Sequence, residues 1–137
     1  MRVAGSVDGD SRNQWETVPV DLRGKFQLKS GQAIEFVDAP DSIVGLLSEL
    51  ETGPGGDMGQ ALLVFLPNEA SVTKRGAMIV KATSSDRLTW VAYPKAGKLG
   101  TDLNRDSLAA LLIERGVQPV RQIAIDDVWS ALRFRPS

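Results

Sequence analysis

One uninterrupted apolar run, Ala61-Leu-Leu-Val-Phe-Leu66, and a second, largely apolar one, Leu88-Thr-Trp-Val-Ala-Tyr93, narrow the fold of this chain more than any other feature. Each is bounded by turn formers and is too short to be a buried helix, so each reads as a strand. A strand that is apolar at consecutive positions has no face to offer to water. Both runs must therefore lie inside a sheet that is covered on both sides. Neither they nor any other stretch approaches the roughly 18 apolar residues that span a bilayer.

The segments around these runs alternate in type. Gln32–Val37 is rich in branched and aromatic residues and reads as the first strand. Asp38-Ala-Pro-Asp-Ser42 is a loop, and Asp41 or Ser42 caps a helix over 42–51 with Ile43, Leu46, Leu47 and Leu50 on one face. The segment Thr52-Gly-Pro-Gly-Gly-Asp-Met-Gly59 reads as a connector. Asn68 caps a helix over 69–82, which Gly76 and several branched residues weaken, leaving a strand at 77–82 as the alternative. A further helix spans about 104–115, capped by Asp102 or Asn104 and closed by Gly116. Val120–Ile125 and Val128–Phe134 form a hairpin around Asp126-Asp127. Strands alternating with helices imply parallel pairing and right-handed crossovers. The expected fold is α/β: a three-layer, Rossmann-like open sheet, mostly parallel, with a C-terminal antiparallel hairpin. Residues 21–137 would form that single domain, and residues 1–20 a flexible or loosely packed arm.

Three blocks carry a resemblance: Leu88-Thr-Trp-Val-Ala-Tyr-Pro-Lys95, Thr101-Asp-Leu-Asn-Arg-Asp106 and Asp126-Asp-Val-Trp-Ser-Ala-Leu-Arg-Phe-Arg135. Together they resemble a family of small bacterial proteins catalogued as domain of unknown function three thousand and fifty-two, or a close neighbour of it. The element order is in turn similar to a class I methyltransferase core lacking its second and third strands. The resemblance implies a fold and no activity.

Composition removes several chemistries. The chain has neither cysteine nor histidine. Disulfides, thiol nucleophiles, Cys/His zinc sites and a Ser-His-Asp triad are therefore excluded, and proton transfer would fall to carboxylates, lysines, the single tyrosine or the terminal amine. No cofactor is expected. The loop after the first strand, where adenosylmethionine and dinucleotide folds need glycine for close backbone approach, is Asp38-Ala-Pro-Asp-Ser42. The glycine-rich segment 52–59 follows a helix and precedes a strand, the reverse of a phosphate loop.

What remains is polar chemistry at loops. Tyr93-Pro-Lys95 ends a central strand, where open α/β sheets form ligand crevices. Lys98, Asn104 and Arg105 follow on the same edge, so Tyr93, Lys95, Lys98, Asn104 and Arg105 are the candidate ligand-binding residues. Adjacent carboxylates at Asp126-Asp127 fit a turn better than a metal site. Alternation places Trp129, Arg133 and Arg135 on one face of the last strand, as a candidate interface. Residues 1–68 carry five basic and ten acidic side chains, and residues 69–137 eleven and seven, so the halves differ as −5 against +4.

The leading expectation is a non-enzymatic, cytoplasmic module acting through self-association or a protein partner, because a first strand without the second and third lies at the sheet edge. The alternative is a small-molecule or anion-binding protein using the Tyr93–Lys95 crevice. An acidic pI of about 5.4 and dispersed basic residues disfavour nucleic acid.

Overall fold

The computed structural model describes residues 22–28, 32–47, 50 and 61–137. The arm read at 1–20 and the glycine-rich segment 52–59 lie outside the described residues. The two apolar runs become strands β2 (Ala61–Phe65) and β3 (Thr89–Pro94), and every residue in both is buried. They pair in parallel with each other, and β2 pairs in parallel with β1 (Ile34–Val37).

Helix α3 (Glu69–Ser84) connects β2 to β3, so the stretch that allowed a strand at 77–82 is helical. Its N-terminus explains why. The Asn68 side chain accepts from the Ser71 amide at 3.0 Å, and the Ser71 hydroxyl returns to the Asn68 amide at 3.3 Å. This capping box satisfies donors the helix cannot satisfy itself. Gly76, which costs propensity, sits where α3 meets the Arg115 side chain: a Cβ there would lie 2.5 Å from the Arg115 Cζ. The glycine is thus the room that the guanidinium occupies.

After β3 come a 3₁₀ turn (Lys98–Gly100), helix α4 (Arg105–Ile113), and strands β4 (Val117–Ala124) and β5 (Trp129–Pro136). Gly116, at φ +97°, makes the turn from α4 into β4 in a conformation that a side chain would strain. Among the described residues two short helices precede β2: α1 (Leu22–Lys25), which the sequence did not announce, and α2 (Asp41–Leu47), which overlaps the helix read at 42–51. Among the described residues no helix is long and apolar enough to cross a membrane.

The expectation of a mostly parallel, Rossmann-like sheet is overturned. The strand order is β1-β2-β3-β5-β4, with two parallel neighbour pairs and two antiparallel ones. The hairpin does not merely add one strand at the end. Its second strand inserts between β3 and β4, antiparallel to both. Burial is the physical reason. The first four residues of β5 are all buried and its sixth is too, so it needs neighbours on both sides. β4 alternates mostly exposed positions, carries Pro119 and has a register shift between Pro119 and Arg121. Proline cannot donate to a ladder on both edges, and an irregular polar strand belongs at the rim.

Alternation along the inner strands divides the core in two. On one face Phe26, Ile34, Ile43, Leu47, Leu63, Phe65, Trp90 and Trp129 pack together. On the other, Leu62, Val64, Val91, Leu132 and Phe134 meet Val72 and Ile79 of α3 and Leu108 and Leu112 of α4. The first face is tied to α1 by Trp90, whose Nε1–H donates to the Phe26 carbonyl at 3.0 Å. The two rings meet edge to face, centroids 5.4 Å apart, a favoured aromatic geometry.

Candidate functional site

At the carboxyl end of β3 the chain opens a cleft of about 340 Å³, lined by Tyr93, Lys95, Ala96, Asn104, Arg105, Asp106, Gln122 and Ser130. Four of the five ligand-binding candidates, Tyr93, Lys95, Asn104 and Arg105, line it. Lys98 does not; it is exposed on the 3₁₀ turn, held by its amide on the Lys95 carbonyl at 2.8 Å.

Each wall has a local cause. Lys95 is fixed where β3 ends, because its amide donates to the Val128 carbonyl at 2.7 Å. The loop to α4 then passes Gly97, which adopts φ +78° with no residue crowding its missing side chain. This loop is stapled to the start of α3: Thr101 Oγ1 donates to the Pro67 carbonyl at 2.8 Å, and Asp102 Oδ1 accepts from the Glu69 amide at 2.8 Å. Asp102 therefore serves the neighbouring helix, and Asn104 caps α4. Asn104 Oδ1 accepts from the Ser107 amide at 2.9 Å, in a second capping box. Asn104 and Arg105 are thus placed at the cleft by the first turn of α4, whose dipole favours negative charge there.

The remaining wall comes from the hairpin. Ser130 is the cross-strand partner of Tyr93. Gln122 Nε2 donates to the Tyr93 hydroxyl at 3.2 Å. Burial pushes the Tyr93 pKa up from its ordinary value, against smaller downward effects of Ser130 and Arg105. The hydroxyl therefore stays protonated near neutral pH and is a donor, not a base. Asp106 is the one carboxylate facing Lys95 and Arg105 in the lining. It lies 4.0 Å from Arg105, with both side chains well exposed, a geometry worth little. The cleft is therefore net positive and rich in donors.

Gln122 and Ser130 went unread in the sequence. Their place depends on β5 lying beside β3, which no spacing within the hairpin specifies. A second tie also appears only in three dimensions. Asp38, at φ +61° after β1, is gripped by Arg75 of α3 through Nε at 2.9 Å and a second nitrogen at 3.0 Å. The Arg75 hydrogen bonds hold the Asp38 carboxyl below its usual pKa, against a slight opposing effect of burial. The bend after β1 is thus closed by an ion pair.

The interface candidates separate. Trp129 is buried, its ring edge to face with Phe65 at 5.1 Å between centroids; it offers no surface to a partner. Arg133 and Arg135 share its face of β5 but lie beyond it, at the opposite rim of the sheet from the cleft. At the hairpin turn, Asp126 Oδ1 accepts from the amides of Val128 at 2.8 Å and Trp129 at 2.7 Å, so this carboxylate closes the turn. Compared with protein-family models, with curated proteins and with solved structures, the chain has no significant match in any of the three.

Proposed function

We propose that this protein binds a small organic anion, a carboxylate or phosphate ester, in the cleft between the end of β3 and the start of α4. The observation that carries this reading is the convergence of the Lys95 and Arg105 side chains with the Tyr93, Ser130 and Gln122 polar groups in one cavity. These residues come from four separate elements and the loop after β3. A volume of about 340 Å³ lies within the range of small-ligand sites. The protonated Tyr93 hydroxyl supports binding rather than proton abstraction. The resemblance carried by the three sequence blocks adds no chemistry to the site.

The test is a thermal-shift panel of nucleotides, adenosylmethionine and phosphate and carboxylate esters. A ligand at 100 times its Kd should stabilise the fold by about 2.7 kcal/mol. At least one anionic member is expected to raise Tm, and Lys95→Met and Arg105→Gln should each abolish that rise. No shift across the panel overturns the reading, and so does a panel in which every shift survives both substitutions.

One observation favours a second reading. β1 is the outermost strand on its side, and among the described residues no strand pairs with its outer edge. An open edge is a template for another strand, which supports self-association through β1. Sedimentation should then show a reversible dimer that Phe36→Pro removes, because proline deletes an edge donor. A monomer at every concentration refutes it.

A further inference from the structure

A second cavity lies at the opposite rim of the sheet, where β3 begins and β5 ends. It measures about 640 Å³, and its lining includes Gln27, Arg87, Arg133 and Arg135, with Asp86 as the one carboxylate. Arg87 is already engaged, with Glu35 at 3.2 Å and the Ala61 carbonyl at 3.3 Å. Arg133 is not balanced in this way. One terminal nitrogen donates to Gln27 Oε1 at 2.7 Å. Its Nε is buried and has no hydrogen-bond partner among the described residues. No ion pair joins Arg133 to another described residue.

Its neighbours add to the imbalance. Arg121 is its cross-strand partner on β4, and Arg135 follows two residues along the same face of β5. Burial, and then Arg135 and Arg121, lower the Arg133 pKa from its ordinary value, with Asp86 a smaller opposing influence. A buried cationic N–H without an acceptor, beside two like charges, is unfavourable unless something supplies oxygen atoms and negative charge. Phosphate-type oxyanions supply both, and the planar guanidinium matches them in a two-pronged geometry.

We propose that this groove is a binding site for a phosphate-type oxyanion, held by Arg133 and Arg135 and separate from the Lys95–Arg105 cleft. The C-terminal turn of α3 and Asp86 form the facing wall and repel negative charge, so the anion sits against β5. Gln27, just after α1, holds the Arg133 head from the side.

Isothermal titration of the full chain with inorganic phosphate and, in parallel, ribose 5-phosphate tests this. Saturable binding of either is expected. Equal affinities place recognition on the oxyanion alone, and tighter ester binding shows that the groove also takes the organic part; both support the site. Arg135→Gln, at an exposed position, should weaken binding about tenfold or more. Arg133→Met should abolish it without lowering the Tm of the ligand-free protein, since it removes an unpaired buried donor. Lys95→Met should leave binding unchanged, which keeps this site distinguishable from the cleft. Absence of saturable binding overturns the proposal. So does binding that Lys95→Met removes while the arginine variants retain it, or an Arg133→Met protein that melts earlier yet binds normally.

Discussion

Trp90→Ala should cost about 3–5 kcal/mol, the range for truncating a large aromatic core side chain. Trp90 is fully buried at the centre of the face that Phe26, Phe65 and Trp129 also build. Loss of the indole removes the edge-to-face contact with Phe26 and the donor to its carbonyl. Domains of this kind have about 5–15 kcal/mol in total, so the variant should be partly unfolded at modest urea concentrations. Trp90→Phe separates the two contributions. It keeps an aromatic ring but leaves the Phe26 carbonyl without its partner, and should cost about 1–3 kcal/mol. Urea unfolding followed by far-ultraviolet circular dichroism measures both. A loss below about 1 kcal/mol for Trp90→Ala would mean that α1 does not hold this face closed.

The second large effect is expected on the other face. Leu108 is fully buried on α4, against the cluster that includes Val91, Leu132 and Phe134. Leu108→Ala should destabilise the protein by about 2–5 kcal/mol, depending on how far the site collapses. Because α4 has nine residues, it depends on packing rather than propensity for its stability. The same change should loosen the placement of Asn104 and Arg105, which reach the cleft from the first turn of that helix. Amide exchange should accelerate across 105–113, and ligands in the Lys95 cleft should weaken in parallel. Phosphate binding at Arg133 should be spared at temperatures where the variant is folded. Unchanged exchange in α4, with stability lost elsewhere, would refute this coupling.

How much of this was legible depended on whether the information was local. β2 and β3 could be read because continuous apolar character has one explanation, burial on both faces. The helix cap at Asn68 could be read, and the second cap narrowed to Asp102 or Asn104, because capping is a matter of three residues. The place of β5 could not be read from element order. A hairpin states that two strands are neighbours, not which of them faces the rest of the sheet. The deciding signal was present in Pro119 and the polar run Arg121-Gln122, which mark β4 as the rim, but alternation alone did not weigh it. The same gap hid Gln122 and Ser130 from the cleft. Trp129, Arg133 and Arg135 illustrate a related limit. Period-two spacing assigns them one face, yet says nothing of depth: the ring lies in the core, and the guanidiniums emerge at the far rim. Helix α1, with four residues, was below what periodicity can detect.

The proline and the slipped register in β4 have a consequence for stoichiometry. A sheet with two open margins can add copies without end, as a fibre does. Among the described residues the β4 margin is interrupted for backbone pairing, which would leave the β1 side to accept a copy. Two molecules meeting there related by a twofold axis would consume the sole docking margin of each, and growth would halt at a closed pair.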